Sequence, residues 1–177
     1  MSIHSRTARR KAQGREEHTL RMDAGIYYVW VAGSCDYAHQ ERCSAGAYIM
    51  QLDNKLLHTF TLGDSHATEF RMILSAMIHA MKRVPAGSDI VFLSNVSYIQ
   101  QNFSREPSDK PRANADLLQE CRSMQANHHS ITVKLIPFHK YNKLQEANRL
   151  AHQAMEEQRN ALRNPSTPPW QPLANDE

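Results

Sequence analysis

Short apolar runs separated by helix-like segments are the feature that most restricts the fold of this chain. The run 26–31, Ile-Tyr-Tyr-Val-Trp-Val, is rich in β-branched and aromatic residues, which predicts a buried strand. Two later runs flank Asp53-Asn54 and predict a β-hairpin. In chain order the predicted strands are 26–31, 46–52, 55–61, 90–93 and 131–136.

Helical spacing of apolar residues predicts the elements between these strands. Within 67–82 the apolar side chains recur every three or four positions, and Lys82 and Arg83 close the last turn. Further helices are predicted at 97–103, 113–125 and 143–162. The order β-β-β-α-β-α-α-β-α predicts an α/β fold with a five-stranded mixed sheet, its first three strands antiparallel, its last two parallel, and helices on both faces.

Cysteine content and hydropathy exclude several classes of protein. The 177 residues include three cysteines, an odd number without a Cys-x-x-Cys pair, which argues against a disulfide framework and a structural zinc site. No apolar run approaches the roughly 20 residues that span a bilayer. We therefore expect a cytoplasmic protein without membrane association.

The net charge of +3 is unevenly distributed along the chain. Residues 1–21 contain six Lys and Arg against two Glu, a net +4. Few apolar residues accompany them, so this basic arm is predicted to be disordered. It is either a solubilising tail or an arm that binds phosphate through Arg6, Arg9, Arg10, Lys11 and Arg15.

The C-terminal segment, 164–177, is proline-rich and carries only two acidic residues as charged groups. Proline fixes φ and lacks the backbone donor, so this tail is predicted to be extended rather than helical. Its single tryptophan, Trp170, either packs back on the domain or binds a protein partner. Residues 22–163 are predicted to form the single domain between arm and tail.

Five sequence motifs of this domain resemble those of bacterial type 1 ribonuclease H. Ala32-Gly33-Ser34-Cys35 resembles the family's Asp-Gly-Ser-Cys, and Thr68-Glu69-Phe70 resembles its Met-Glu-Leu. The other similar segments are 93–99, 110–119 and the pair 138–140 with 146–151. The resemblance extends over about residues 24–156 in register and implies a ribonuclease H-like fold.

The resemblance also implies a site, because the family cleaves the RNA strand of RNA–DNA hybrids with two Mg²⁺ ions held by four carboxylates. At these four positions the chain has Glu69, which is retained, and Ala32, Asn95 and Asn148 in place of aspartates. The formal charge of the site falls from about −4 to −1. Because two close dications need several anionic ligands, we expect no bound metal and no hydrolysis. His139 takes the place of the family's loop histidine.

Nucleic-acid contacts follow from the same resemblance. Ser34 and Cys35 beside the first position, and Lys110 and Arg112 in the segment of the family's basic handle, are the candidates within the domain. Over 105–122 four basic residues oppose four acidic residues, so this handle is no longer strongly basic. The alternative there is a solvated helix and loop of mixed charge.

The sequence therefore favours a catalytically inactive ribonuclease H-like protein that needs no cofactor and binds nucleic acid or assembles with protein partners. Two alternatives stay open. One is a weak ribonuclease H that uses Mg²⁺ at Glu69 and His139, with Asp36, Asp64 or Glu146 as a substitute ligand, or with His66 and Glu69 on one helical face. The other is a purely protein-binding scaffold.

Overall fold

Five strands form one sheet at the centre of the molecule. The structure, a computed structural model, describes residues 20–103, 105–106, 110 and 112–164. The strands are β1 (Ile26–Cys35), β2 (Cys43–Leu52), β3 (Lys55–Ser65), β4 (Asp89–Ser94) and β5 (Ser130–Leu135). The α-helices of the described residues are α1 (Glu69–Arg83), α2 (Ser97–Phe103), α3 (Ala115–Gln125) and α4 (Asn142–Arg163), and a 3₁₀ turn spans Phe138–Lys140.

The sheet order, β3-β2-β1-β4-β5, confirms the predicted mixed sheet. β1 pairs antiparallel with β2 and parallel with β4, β2 pairs antiparallel with β3, and β4 pairs parallel with β5. The predicted hairpin is formed by β2 and β3. Both residues of its turn, Asp53 and Asn54, have positive φ (51° and 61°), as a two-residue hairpin turn requires.

Helices cover both faces of the sheet, as predicted. On one face α1, α2 and α3 bury a cluster with β1, β2 and β4 that includes Val29, Tyr48, Ile73, Met77 and Phe92. On the other face α4 packs its residues Leu144 and Ala147 against Trp30, Ile49 and Leu93. The alternation of side chains along the strands supplies both layers, because successive residues point to opposite faces.

Two glycines allow α1 to approach the sheet closely. A Cβ atom at Gly46 would lie 2.4 Å from the carbonyl oxygen of Met72, and a Cβ at Gly33 would lie 2.8 Å from Cγ1 of Ile73. Thr68 caps the helix by accepting a hydrogen bond from the backbone N–H of Arg71 (3.2 Å). The first residue of α1, Glu69, is thereby held beside the end of β1.

The boundaries differ from prediction where pairing or a cap extends or shortens an element. β1 continues to Cys35, four residues beyond its predicted end, because Cys35 still pairs with Ser44 of β2. α3 begins at Ala115 rather than 113, because Asn114 has a left-handed φ of 61°. The predictions for the arm (1–19) and the tail (165–177), Trp170 included, fall on residues outside the described part. Among the described residues no helix is long and apolar enough to cross a membrane.

Candidate functional site

Four elements bring the four ribonuclease H-like positions to one edge of the sheet. Ala32 lies near the carboxyl end of β1, and Asn95 directly follows β4, its parallel neighbour. Asn148 lies on α4, next to Ala147, which packs in one cluster with Ala32. Glu69 begins α1, and its Cγ would lie 3.0 Å from a Cβ at Gly33. The structure thus juxtaposes the positions that the sequence predicted.

This site contains one carboxylate. Glu69 is partly buried, and burial raises the pKa of its carboxyl group. Ala32 is 3% exposed and packs among Leu93, Ile136 and Ala147, so its place is occupied by an apolar methyl group. The other side-chain oxygens at these positions belong to the neutral amides of Asn95 and Asn148. Such a donor set does not fit two adjacent Mg²⁺ ions, whose mutual repulsion is offset only by several anionic oxygens.

Asp36, one of the proposed substitute ligands, is engaged elsewhere. Its carboxylate accepts a hydrogen bond from Nη1 of Arg159 (2.6 Å) and lies 2.6 Å from Nδ1 of His39. The hydrogen bonds from His39 and Arg159 lower the pKa of Asp36 to about 2. This cluster joins the β1–β2 connection to the C-terminal half of α4.

The other two proposed substitutes also have partners of their own. Asp64, on β3, accepts the backbone N–H of Ser65 through Oδ1 (2.7 Å). Glu146 forms an ion pair with Lys143 (3.4 Å). Within the described ranges no group of three or more His, Cys, Asp and Glu side chains is placed to hold a metal ion.

The two histidines considered as ligands or catalytic groups, His66 and His139, lie on different segments, one before α1 and one on the 3₁₀ turn after β5. His66 has a φ of 61° and precedes α1, which begins at Glu69, so the idea that these two residues share a helical face is wrong. The carbonyl of His66 instead accepts a hydrogen bond from Arg42 (2.8 Å). His139 is exposed on the 3₁₀ turn that follows β5.

Ser34 and Cys35 contact neighbouring elements. The hydroxyl of Ser34 lies 3.4 Å from Nδ1 of His152 and 3.4 Å from the sulfur of Met155, both on α4. The thiol of Cys35 donates to the carbonyl of Ala67 (3.4 Å), and burial raises its pKa. Both side chains are partly buried, and their contact with nucleic acid stays a prediction.

A cationic pocket lies beside α3. It has a volume of about 180 Å³ and includes both of the predicted contacts Lys110 and Arg112. Its lining residues are Asn102, Arg105, Lys110, Arg112, Ala115, Leu118, Gln119 and Arg122. Four of these eight side chains carry a positive charge and none carries a negative charge, so the pocket suits an anion.

The two acidic residues of α3 are directed to partners outside the pocket. Asp116 accepts two hydrogen bonds from Arg71 of α1 (3.0 and 2.8 Å), and Glu120 accepts one from Lys82 of α1 (2.8 Å). Glu106 is the described acid that pairs with a pocket residue, Arg122 (3.4 Å). The zero sum over 105–122 therefore conceals a separation of charge. Helical phase could have revealed it, because residues 116 and 120 are four apart and share one face.

An aromatic pair, which sequence reasoning missed, lies between Glu69 and this pocket. Phe70 stacks on Tyr98 with ring centroids 4.5 Å apart and planes inclined by 19°, and 36% of Phe70 remains exposed. The hydroxyl of Tyr98 donates to the carbonyl of Ala113 (3.2 Å), next to Arg112. The pair thus connects the first turn of α1 with the segment that enters α3.

Solved structures of ribonucleases H are similar to this chain over most of its length. LC9-RNase H1, described as a type 1 ribonuclease H with the type 2 active-site motif, matches with a TM-score of 0.65 and 17% identity, covering 78% of this chain and 76% of that one. This chain has the ribonuclease H fold. The N-terminal ribonuclease H domain of a Mycobacterium tuberculosis protein matches with a TM-score of 0.65 and 12% identity, covering 78% of this chain and 99% of that one.

The ribonuclease H fold also matches a viral enzyme in complex with its ligand. The foamy viral protease–reverse transcriptase with an RNA/DNA hybrid matches with a TM-score of 0.61 and 14% identity, over 84% of this chain and 23% of that chain. Bacterial and viral proteins thus both share the fold, which confirms the ribonuclease H-like prediction without singling out a bacterial type. No family model matches the sequence, and no curated protein is significantly similar to it.

Proposed function

We propose that this chain is a catalytically inactive protein of the ribonuclease H fold that binds nucleic acid as a subunit of a larger assembly. The observation that carries the proposal is the pocket lined by Arg105, Lys110, Arg112 and Arg122, with Asp116 and Glu120 directed to α1. Clustered cations bind phosphate by displacing condensed counterions. A phosphodiester backbone is therefore the ligand that this pocket suits.

We call the four positions Ala32, Glu69, Asn95 and Asn148 the altered site. It supports both the proposed inactivity and the proposed binding of nucleic acid. Hydrolysis with two metals requires anionic ligands that hold both ions and orient the attacking water. Glu69 alone supplies one carboxylate, partly buried, with Ala32 beside it as an apolar neighbour. The loss of three negative charges also reduces the repulsion of phosphate, so a strand can approach this edge without metal ions. The foamy viral protease–reverse transcriptase, part of which matches this fold and whose structures are in complex with an RNA/DNA hybrid and with dsDNA, supports nucleic acid as the ligand class.

The first experiment measures binding by fluorescence anisotropy with single-stranded, duplex and hybrid oligonucleotides at several salt concentrations. The variant Lys110→Gln/Arg112→Gln should weaken binding to all of them and reduce the slope of log K against log salt by about one for each lost phosphate contact. Lys55→Gln, which removes an exposed cation at the β2–β3 turn, is the matched control and should change neither quantity. Absence of binding at low ionic strength would favour the protein-binding scaffold.

The second experiment measures cleavage of an RNA–DNA hybrid with Mg²⁺ and with Mn²⁺. We expect no turnover above background and no difference between the natural chain and Glu69→Gln. Turnover that disappears in Glu69→Gln would instead show a weak ribonuclease H. In the variant Ala32→Asp/Asn95→Asp/Asn148→Asp, Mg²⁺ should raise the melting temperature, because a bound ion stabilises the folded state, whereas the natural chain should not respond.

The assembly role has its own test. Purification of the tagged chain from its native cells, followed by sequencing of bound nucleic acid and identification of bound proteins, should recover both. The cytoplasmic location is part of this proposal, and fractionation of the same cells checks it. Recovery of bound proteins without any nucleic acid would contradict the proposed ligand, provided that nuclease treatment does not change which proteins are recovered.

A further inference from the structure

The loop between β5 and α4 is fixed in position at the edge of the altered site. The backbone N–H of Ile136 donates to the carbonyl of Ser94 (2.9 Å), and Nε2 of Gln145 donates to the carbonyl of Phe138 (3.3 Å). Ile136 is 4% exposed and packs in the same cluster as Ala32. The loop is therefore attached to the sheet on one side and to α4 on the other.

The loop nevertheless presents an aromatic ring to solvent. Phe138 is 37% exposed at the start of the 3₁₀ turn, and its two successors, His139 and Lys140, are exposed as well. An exposed aromatic side chain on an anchored loop, rather than in the core, gives a partly uncovered π-face next to a site with one carboxylate, Glu69. Such faces are the surfaces on which unpaired bases stack.

The sequence on both sides of this ring carries only positive charge. Residues 130–145 include Lys134, Lys140 and Lys143 and contain no Asp or Glu. Lys143 pairs with the first following acid, Glu146 (3.4 Å), whereas the side chains of Lys134 and Lys140 are exposed and form no ion pair within the described residues. Two accessible ammonium groups thus flank Phe138 in sequence.

The strand register places one of these lysines on the side of the altered site. Side chains alternate along β5, and Ile131 and Val133 pack on the α1 face of the sheet. Lys134 therefore points to the α4 face, where Ile136 joins the cluster that contains Ala32. A phosphate near Lys134 would lie on the same face as the site.

From these observations we infer that the loop binds single-stranded nucleic acid, with an unpaired base stacked on Phe138 and the neighbouring phosphates against Lys134 and Lys140. In a duplex each base is already stacked on its neighbours, so an unpaired base is the one with a free face for this ring. The inference rests on the proposed nucleic-acid binding and adds the ligand class and a second contact, on the other side of the site from the cationic pocket.

The test compares a labelled single strand with a blunt duplex of the same sequence, by anisotropy. Phe138→Leu keeps an apolar side chain but removes the π-face, and it should weaken single-strand binding about five- to 150-fold while leaving duplex binding unchanged. Phe138→Tyr retains an aromatic ring and should bind the single strand as tightly as the natural chain does. Lys140→Gln should weaken single-strand binding and lower its salt dependence, whereas Lys55→Gln should not. Equal melting temperatures of the variants would confirm that they are folded.

The outcomes separate this inference from the proposal on which it rests. If the natural chain binds no oligonucleotide at low salt, the proposed function fails and the inference with it. If Lys110→Gln/Arg112→Gln weakens binding and Phe138→Leu does not, only the loop contact is overturned. Equal losses for single strand and duplex in Phe138→Leu would also overturn base stacking. So would loss of a co-purifying protein in the loop variants without any change in nucleic-acid affinity.

Discussion

Ala32 shows how one residue changes the chemistry of this edge. The position is 3% exposed and lies among Leu93, Ile136 and Ala147, so a methyl group completes an apolar contact where a carboxylate would need a cation. Glu69, its neighbour across Gly33, is left without a second acid, and burial raises its pKa. An alanine at this position therefore favours packing and supplies no metal ligand.

Gly46 provides a stability test at the same scale. Gly46→Ala should lower the free energy of unfolding by about 1–3 kcal/mol, because the new Cβ would lie 2.4 Å from the backbone oxygen of Met72 and α1 must move away. Gly63→Ala is the matched control, since its Cβ would meet the flexible end of Gln158 at 2.8 Å, which can move aside. Urea denaturation measures both variants, and equal losses would contradict the proposed close approach of α1.

At the scale of elements, α3 separates charge between its two sides. Its acids Asp116 and Glu120 bind Arg71 and Lys82 of α1, while Arg122 lies with Arg112 at the pocket. Exposed ion pairs of this kind add little stability, typically less than about 1 kcal/mol. Their main consequence is to direct the negative charges away from the surface that we propose for phosphate.

Two glutamates with the same formal charge test this separation. Glu106→Gln removes the partner of Arg122 at the pocket, and it should increase nucleic-acid affinity a few-fold at low salt. Glu120→Gln removes a charge that pairs with Lys82 on the α1 side, and its effect should be smaller. Anisotropy titrations at two salt concentrations measure both. Equal increases would mean that only the net charge matters.

The packing of α1 on β3 predicts a dependence of stability on pH. His79 stacks on Phe60 with centroids 3.6 Å apart and hydrogen-bonds Tyr48 (2.9 Å). Burial, His58 and the nearby Arg83 and Lys82 lower the pKa of His79 below its ordinary value of 6.5. At pH values between the pKa of His79 in the folded chain and its pKa in the unfolded chain, the unfolded chain binds more protons. The stability that neutral His79 contributes is therefore fully present above pH 6.5 and is lost as the pH falls through the folded pKa.

Urea denaturation between pH 5 and pH 8 measures that dependence. The free energy of unfolding should fall with decreasing pH below about 6.5. The variant His79→Gln, which has no titrating group at this position, should show a weaker fall. His129→Gln is the control, because this histidine is exposed and lies 2.6 Å from Asp89, far along the chain from the α1–β3 contact. An unchanged pH profile in His79→Gln would contradict this account.

At the scale of the whole molecule, the reactivity of the three cysteines tests the packing on both faces of the sheet. Cys43 and Cys121 are 1% and 0% exposed, and burial raises the pKa of Cys121 to about 12. Cys35 is partly exposed near the altered site. With a disulfide reagent such as Ellman's, one thiol should react in the folded protein and two only at the rate of unfolding. Cys35→Ser should remove the early phase, and two early phases would contradict the packing.

Much of the fold could be predicted from the sequence because its signals are local. Apolar runs and helical spacing located the five strands and four helices, and the Asp53-Asn54 turn located the hairpin. Boundaries were less accurate, since the end of β1 depends on pairing with β2 and the start of α3 depends on the backbone of Asn114. The positions Ala32, Glu69, Asn95 and Asn148 were predicted through the resemblance, and the structure places them together.

The sequence by itself determined which groups this site possesses, because the methyl group of Ala32, the amides of Asn95 and Asn148 and the carboxylate of Glu69 are a matter of residue identity. The tertiary structure decided where the remaining charges lie. Arg71 and Asp116 are 45 residues apart along the chain, and their contact depends on how α1 and α3 pack. A sum over 105–122 gives zero, whereas the folded chain pairs Asp116 and Glu120 with α1 and leaves Arg105, Lys110, Arg112 and Arg122 at one pocket, since the two α3 acids take their partners from another element.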